Sequence, residues 1–362
     1  MRRSKLIALC VLVIFAVTAI AFVGGCMKKP APKPLPGQPG NQGAAVNPPA
    51  RMIIGYYENP WPGTPEQSGS FPSMRTYGGH MTHVVPFWYK VVADGTLESK
   101  ESQQVYDTAR NLGLKIFPLI TYKTGVIEKV LSDPALRTKT IDNIVKLVKE
   151  KPYDGVNIDF ELLKPEQEKD LTAFMAELYG KLKPLDKTVT VSVFPKIDVH
   201  ESIHGAYNYA DLAKNSDFIQ VMLYDKHWAT SEPGAIAPID WYEKNLKYSI
   251  EQAGGANKVI AGVSAYGYDW GPGKEPAKDV RYVDAIVTAE KNGAKIEYDE
   301  ASQAPHFKYK DHEIWFENDR STAAKMDIVA KYNPAGIAIW RLGQEQPEIW
   351  PIIDKKFPKG QH

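Results

Sequence analysis

Residues 154–161 read Asp154-Gly155-Val156-Asn157-Ile158-Asp159-Phe160-Glu161. A β-strand sends alternate side chains to opposite faces, so Asn157, Asp159 and Glu161 share one face and Val156, Ile158 and Phe160 the other. Two neighbouring carboxylates repel, which favours keeping one of them protonated near neutral pH. A carboxyl that still holds its proton there can pass it to a leaving oxygen as a general acid. Glu161, at the strand's end, is the candidate acid, with Asp159 as its partner. The same pattern also fits a carboxylate pair that only satisfies neighbouring hydrogen bonds, or a site for Ca²⁺ or Mg²⁺, which take oxygen ligands. No histidine cluster stands beside it, and no metal or other cofactor is expected.

For that polar face to point inward, the strand needs partners and a surrounding apolar layer. After residue 51 short runs rich in Val, Ile, Phe and Tyr recur at 52–57, 83–89, 115–121, 155–161, 188–193, 218–223, 259–265 and 336–340, each bounded by turn residues. Helical stretches lie between them. Residues 134–151 open on Pro134 and end in lysines, as a helix should. Residues 165–183 carry Leu171, Phe174, Leu178 and Leu182 as one stripe. About eight strands alternating with helices over roughly 300 residues predict an α/β fold, a (β/α)8 TIM barrel, whose chemistry sits at the C-terminal ends of the strands. An open doubly wound sheet would want a Gly-rich phosphate loop, and the chain has none. The stretch between the seventh and eighth strands is too long for one helix. A helix over 282–292 and short strands at 295–298, 306–308 and 313–316 predict a small α+β insertion over about residues 269–316.

The rest of the composition narrows the partners. The chain has 44 Lys and Arg against 43 Asp and Glu, which gives no electrostatic reason to expect nucleic acid. Its two cysteines, Cys10 and Cys26, both precede residue 51, which excludes a disulfide framework or cysteine zinc site downstream. Arg2, Arg3 and Lys5 followed by the apolar run 6–23 have the pattern of a secretory signal, although the run is long enough to border on a membrane span. Val23-Gly24-Gly25-Cys26 resembles the bacterial lipobox. That makes 1–25 a lipoprotein signal peptide and Cys26 a lipidated N-terminus, anchoring the chain to a membrane outside the cytoplasm. Residues 26–50, with Pro30, Pro32, Pro34 and Pro36 in alternation, read as an extended spacer reaching roughly 3 Å per residue. Residues 51–362 are then the folded, catalytic part.

The carboxylate segment also carries a family resemblance. It resembles the Asp-Gly-x-Asp-x-Asp-x-Glu signature of family 18 glycoside hydrolases, with Asn157 standing where the family usually has Asp. Gln220-Val221-Met222-Leu223-Tyr224-Asp225 resembles the family's Met-x-Tyr-Asp, and residues 336–343, with Trp340, resemble its last strand. The likeness spans roughly residues 51–355. It implies a retaining, substrate-assisted hydrolysis beside an N-acetylated sugar, the exception to the two-carboxylate scheme. In that mechanism Glu161 protonates the leaving oxygen, the substrate's own acetamido oxygen attacks, Asp159 orients the acetamido nitrogen, and Tyr224 donates to its oxygen. Trp340 would floor the sugar, Met222 and Asp225 would shape the pocket, and Asn157, Gln220 and Tyr56 would reach the substrate. With Asn157 the site keeps a hydrogen bond but loses a charge beside Asp159.

Chitinases of the family usually carry Ser-x-Gly-Gly on the third strand, whereas this chain has Lys115-Ile116-Phe117-Pro118-Leu119-Ile120-Thr121-Tyr122. Residues 224–228, 231–234, 237–238 and 316–321 are instead similar to the branch of bacterial spore-germination and cortex-lytic N-acetylglucosaminidases. The expected partner is an N-acetylated polysaccharide, peptidoglycan ahead of chitin or glycoprotein glycans. A non-catalytic carbohydrate-binding or envelope-assembly lipoprotein on the same barrel stays open because of Asn157. His227, Trp228 and Trp88 could each touch sugar or only pack at the rim.

Overall fold

The computed structural model describes residues 51–60, 69–273 and 275–359. The expected signal peptide, lipidated cysteine and spacer fall on residues 1–50, outside the described residues.

Eight parallel strands close on themselves: Met52–Tyr57 pairs with His83–Val91 on one side and with Gly336–Trp340 on the other. Between them the order runs through Val259–Ser264, Phe218–Val221, Thr188–Val193, Gly155–Ile158 and Leu119–Tyr122, as a (β/α)8 barrel requires. Helices Gln103–Asn111, Pro134–Glu150, Glu168–Leu182, Ile239–Ala253 and Asp319–Tyr332 are among those that cover the outside. Their starts carry sequence logic. The Asp133 carboxylate accepts from the Ala135 and Leu136 amides, and Asn318 with Ser321 forms a capping box. Leu171, Phe174, Leu178 and Leu182 are fully buried against the strands. Their layer includes Val156, Ile158 and Phe160, while Tyr56, Val85, Phe117, Leu119 and Ile260 fill the barrel's inside.

Five of the expected strands change length, the seventh only by stopping at Ser264 instead of Ala265. The second continues to Val91 because it turns at Gly95, in the left-handed region at φ 81°, and pairs back with Leu97–Ser99. The third breaks into Lys115–Ile116 and Leu119–Tyr122, since Pro118 has no N–H to offer the ladder. The fourth stops at Ile158 rather than reaching Glu161. The Asp159 amide still bonds the Ile120 carbonyl at 3.0 Å, after which the backbone leaves the ladder and Leu162 takes φ 51°. The sixth ends at Val221, where the amides of Leu223 and Tyr224 turn back onto the carbonyls of Val221 and Met222.

The insertion is larger than the sequence suggested. It forms an antiparallel sheet ordered Lys278–Arg281, Tyr266–Trp270, His312–Trp315, Ala304–Tyr309, Glu297–Asp299, with helix Tyr282–Asn292 against it. Its first strand follows the seventh barrel strand with only Ala265 between them, so it starts before residue 269 and includes two strands that the sequence pattern missed. Val280, Ala285, Ala289, Phe307, Ile314 and Phe316 give it a core of its own. The chain returns to the barrel through Glu317, buried with Lys325 at 2.7 Å and accepting from Ser264 and Ser321.

Candidate active site

At the C-terminal end of the barrel a pocket of about 150 Å³ is lined by Tyr56, Asp159, Glu161, Ser192, Phe194, Gln220, Met222, Tyr224, Asp225 and Trp340. Five strands and the segments just past their ends supply these groups. A larger cavity, about 640 Å³, opens at the opposite mouth, among Arg51, His83, Lys115, Phe117 and Phe218, away from the carboxylates.

Asp159 is buried on the inward face and Glu161 is half-buried beyond it. Burial lifts Asp159 to about 6, while a hydrogen bond from Ser192 and one from Glu161 pull the other way. Burial lifts Glu161 further, and the negative charges of Asp159 and Asp225 add to it. Both shifts favour keeping a proton within the pair, on the side of Glu161, which is the direction a general acid needs. The backbone around the acid is pinned: the Tyr122 hydroxyl donates to the Glu161 carbonyl, and Tyr207 donates to the Phe160 carbonyl at 2.6 Å.

Asn157 lies beneath this pair, fully buried. Its Nδ2 donates to Thr190 Oγ1 at 2.9 Å, and its Oδ1 accepts from Ser192 and from Tyr56, both at 3.3 Å. An amide both donates and accepts here, so the position is satisfied without a charge. The Tyr56 hydroxyl also donates to Gln220 Oε1 at 2.5 Å. Asn157, Tyr56 and Gln220, expected as substrate contacts, are thus tied to one another in a polar layer; Tyr56 and Gln220 still line the pocket.

Trp340 is half-buried, its ring centroid 5.2 Å from that of Tyr56 and tilted at 57°, with a cis peptide following it at Arg341. Tyr224 is buried and packs edge-on against Tyr266 at 6.2 Å. Gly262 makes this fit possible, since a Cβ there would come within 3.0 Å of the Tyr224 ring and 2.6 Å of the Val221 carbonyl oxygen. Asp225 adopts φ 60° and opens to solvent at the pocket's mouth, with protein crowding its other sides. That crowding raises its carboxyl to about 6, opposed by hydrogen bonds from Tyr266 and Tyr268 and helped by the nearby Asp279 carboxylate.

Sequence reasoning missed Ser192, Phe194, Tyr266 and Tyr268. Ser192 was signalled by Thr188-Val189-Thr190-Val191-Ser192-Val193, where polar residues alternate with valines. Of the three undecided aromatics, Trp88 is buried in the layer between strands and helices. His227 supports its own loop, with Nδ1 at 3.1 Å from the Glu232 carbonyl. Trp228 stands 43 % exposed on the rim.

The model of the glycosyl hydrolases family 18 matches residues 52–345. The uncharacterized glycosylase YvbX of Bacillus subtilis is 27 % identical over 322 residues, covering 84 % of this chain and 91 % of the relative. The cortical fragment-lytic enzyme of Bacillus subtilis is 26 % identical over 295 residues, 77 % of this chain and 68 % of that enzyme. Among solved structures, the spore cortex-lytic enzyme SleL of Bacillus cereus superposes with a TM-score of 0.78 at 27 % identity, over 85 % of this chain and 74 % of that one.

Proposed function

Because this chain belongs to family 18 of the glycosyl hydrolases, we propose that it cleaves β-1,4 bonds beside N-acetylglucosamine in peptidoglycan or its fragments, with Glu161 as general acid and base. The observation that carries this is the proton-sharing pair Asp159 and Glu161 at the C-terminal mouth of the barrel. Glu161 protonates the glycosidic oxygen. The substrate's acetamido oxygen attacks the anomeric carbon, and Asp159 holds the acetamido N–H as positive charge develops on that group. Water, deprotonated by the Glu161 carboxylate, then opens the cyclic intermediate, so the configuration is retained. Tyr224 supplies a hydroxyl to the acetamido oxygen, and the Trp340 indole offers an apolar face to the sugar ring.

Peptidoglycan is favoured over chitin because the relatives include cortical fragment-lytic and spore cortex-lytic enzymes. The test is digestion of purified cortex peptidoglycan by the wild type and by Glu161→Gln, read by mass spectrometry. New reducing-end N-acetylglucosamine from the wild type alone is the expected result. Products of equal yield from both proteins would refute the assignment of the acid. Binding without products from either would favour a carbohydrate-binding lipoprotein.

Val23-Gly24-Gly25-Cys26 further supports an extracytoplasmic lipoprotein held to the membrane through Cys26. Incorporation of labelled palmitate that is lost on Cys26→Ala is the expected result.

A further inference from the structure

The three carboxyls of the pocket, Asp159, Glu161 and Asp225, have no cation among the groups that line it with them. The guanidinium that follows Trp340 in sequence is otherwise engaged: Arg341 Nε pairs with Glu58 at 2.8 Å and its charge acts on Asp279. Asp225, in the left-handed region at φ 60°, is an aspartate exposed on one side with only neutral donors to hold it. Those donors come from outside the barrel. The hydroxyls of Tyr266 and Tyr268 both reach Asp225 Oδ1, the second at 3.4 Å, and both belong to the first strand of the insertion.

That strand is built to aim them. Tyr266, Tyr268 and Trp270 alternate along it on one face, and successive rings meet edge-on with centroids 5.5 Å apart. Trp270 Nε1 donates to the Ser231 carbonyl at 3.0 Å, fastening the row to the loop that follows Asp225. Tyr266 continues the row inward onto Tyr224.

We propose that Tyr266 and Tyr268 are positioning residues of the reaction: they hold Asp225 fixed and ionised beside Glu161, so that the insertion sets how tightly the acid keeps its proton. This rests on the reading of Glu161 as the general acid. The groups facing Asp225 are Tyr266 and Tyr268 on the insertion strand, Asp279 on its neighbour, Tyr224 next in sequence, and Glu161 across the pocket. Those facing Glu161 are Asp159, Asp225, Tyr224, Tyr122, Tyr207 and Tyr56. A hydroxyl that donates to a carboxylate favours its charged form. Without the two hydroxyls Asp225 takes up a proton at higher pH, its repulsion of the Glu161 anion fades, and Glu161 loses its own proton more readily.

The test is to follow Glu161 by carboxyl-carbon NMR titration in the full chain, alongside the pH–rate profile on N-acetylglucosamine oligosaccharides. The proteins are wild type, Tyr266→Phe with Tyr268→Phe, Asp225→Asn, the triple variant, and Tyr309→Phe as a control. Tyr309 lies on the same sheet and donates to Asp269. The double variant is expected to lower the Glu161 midpoint by about half a unit and to move the alkaline limb of the rate profile with it. The triple variant should match Asp225→Asn, and Tyr309→Phe should match the wild type. An unmoved Glu161 midpoint in the double variant overturns the proposal, whatever happens to the rate. A further shift on adding the tyrosine changes to Asp225→Asn overturns the route through Asp225. The titration needs no turnover, so an inactive wild type would count against the hydrolase reading and leave this one still decided by the midpoint.

Discussion

Glu161 and Asp159 are hydrogen-bonded to one another in the space opened where the fourth strand stops at Ile158. Were the strand to run on, both would stay fixed in the ladder two residues apart along one edge. Because it ends, the acid swings half-free toward solvent while its partner stays buried.

The shared proton predicts a bell-shaped rate profile. Asp159 is raised to about 6 and Glu161 well above the usual glutamate range. Activity should rise with pH as the pair gives up its first proton near 6, then fall when it gives up the second. Asp159→Asn removes the first step, and kcat should drop by roughly 10²-fold, the low end of what acid–base groups contribute. A mutant profile with the acid limb unchanged would assign that limb elsewhere.

The same pair predicts a stability penalty. A carboxyl whose folded pKa is raised binds protons on folding, so its favourable contribution is present below the unfolded value and is lost as pH rises toward the folded one. Glu161→Gln should therefore melt higher than the wild type at pH 8, by roughly 1–3 °C for a protein of this size. The gap should close as pH falls below about 4, where an unfolded glutamate also takes up its proton. Differential scanning calorimetry at both pH values decides it; equal melting temperatures at pH 8 would deny Glu161 its raised pKa.

Trp340 lines the pocket with a half-buried indole that packs at a tilt against Tyr56. Trp340→Ala should raise KM about tenfold on short oligosaccharides, the low end of the ~1–3 kcal/mol that nucleobases gain by stacking on an aromatic side chain. Trp340→Phe should recover much of that loss. An Ala variant with unchanged KM would leave the indole as core alone.

Lys325 and Glu317 are almost completely buried together. Removing one partner leaves a naked charge, so Lys325→Met should lose about 3–5 kcal/mol in urea unfolding. Adding Glu317→Gln should recover most of it, because the remaining groups are neutral. A double variant as weak as the single would mean that packing, not charge, is what the lysine supplies.

The barrel and most of its site are legible in the chain because they depend on alternation. Val156, Ile158 and Phe160 against Asn157 and Asp159 sort themselves by a period of two, and the fold obeys. The end of the fourth strand was not legible, since Asp159, Phe160 and Glu161 continue the alternation after the hydrogen-bond ladder has stopped. Nor was the role of Tyr266 and Tyr268. Their alternation says only that they share a face; that this face meets Asp225, 41 residues away for Tyr266, is a fact of tertiary packing. Asn157 was readable as a departure, but not its remedy, because Thr190, Ser192 and Tyr56 reach it from two other strands.

The chain enters the first strand at Arg51, on the mouth of the barrel opposite the carboxylates. A six-residue strand spans about 20 Å. Arg51 and Asp159 thus stand at opposite ends of one closed ring of strands, so a change confined to the entry mouth meets the whole length of the barrel before it meets the carboxylates.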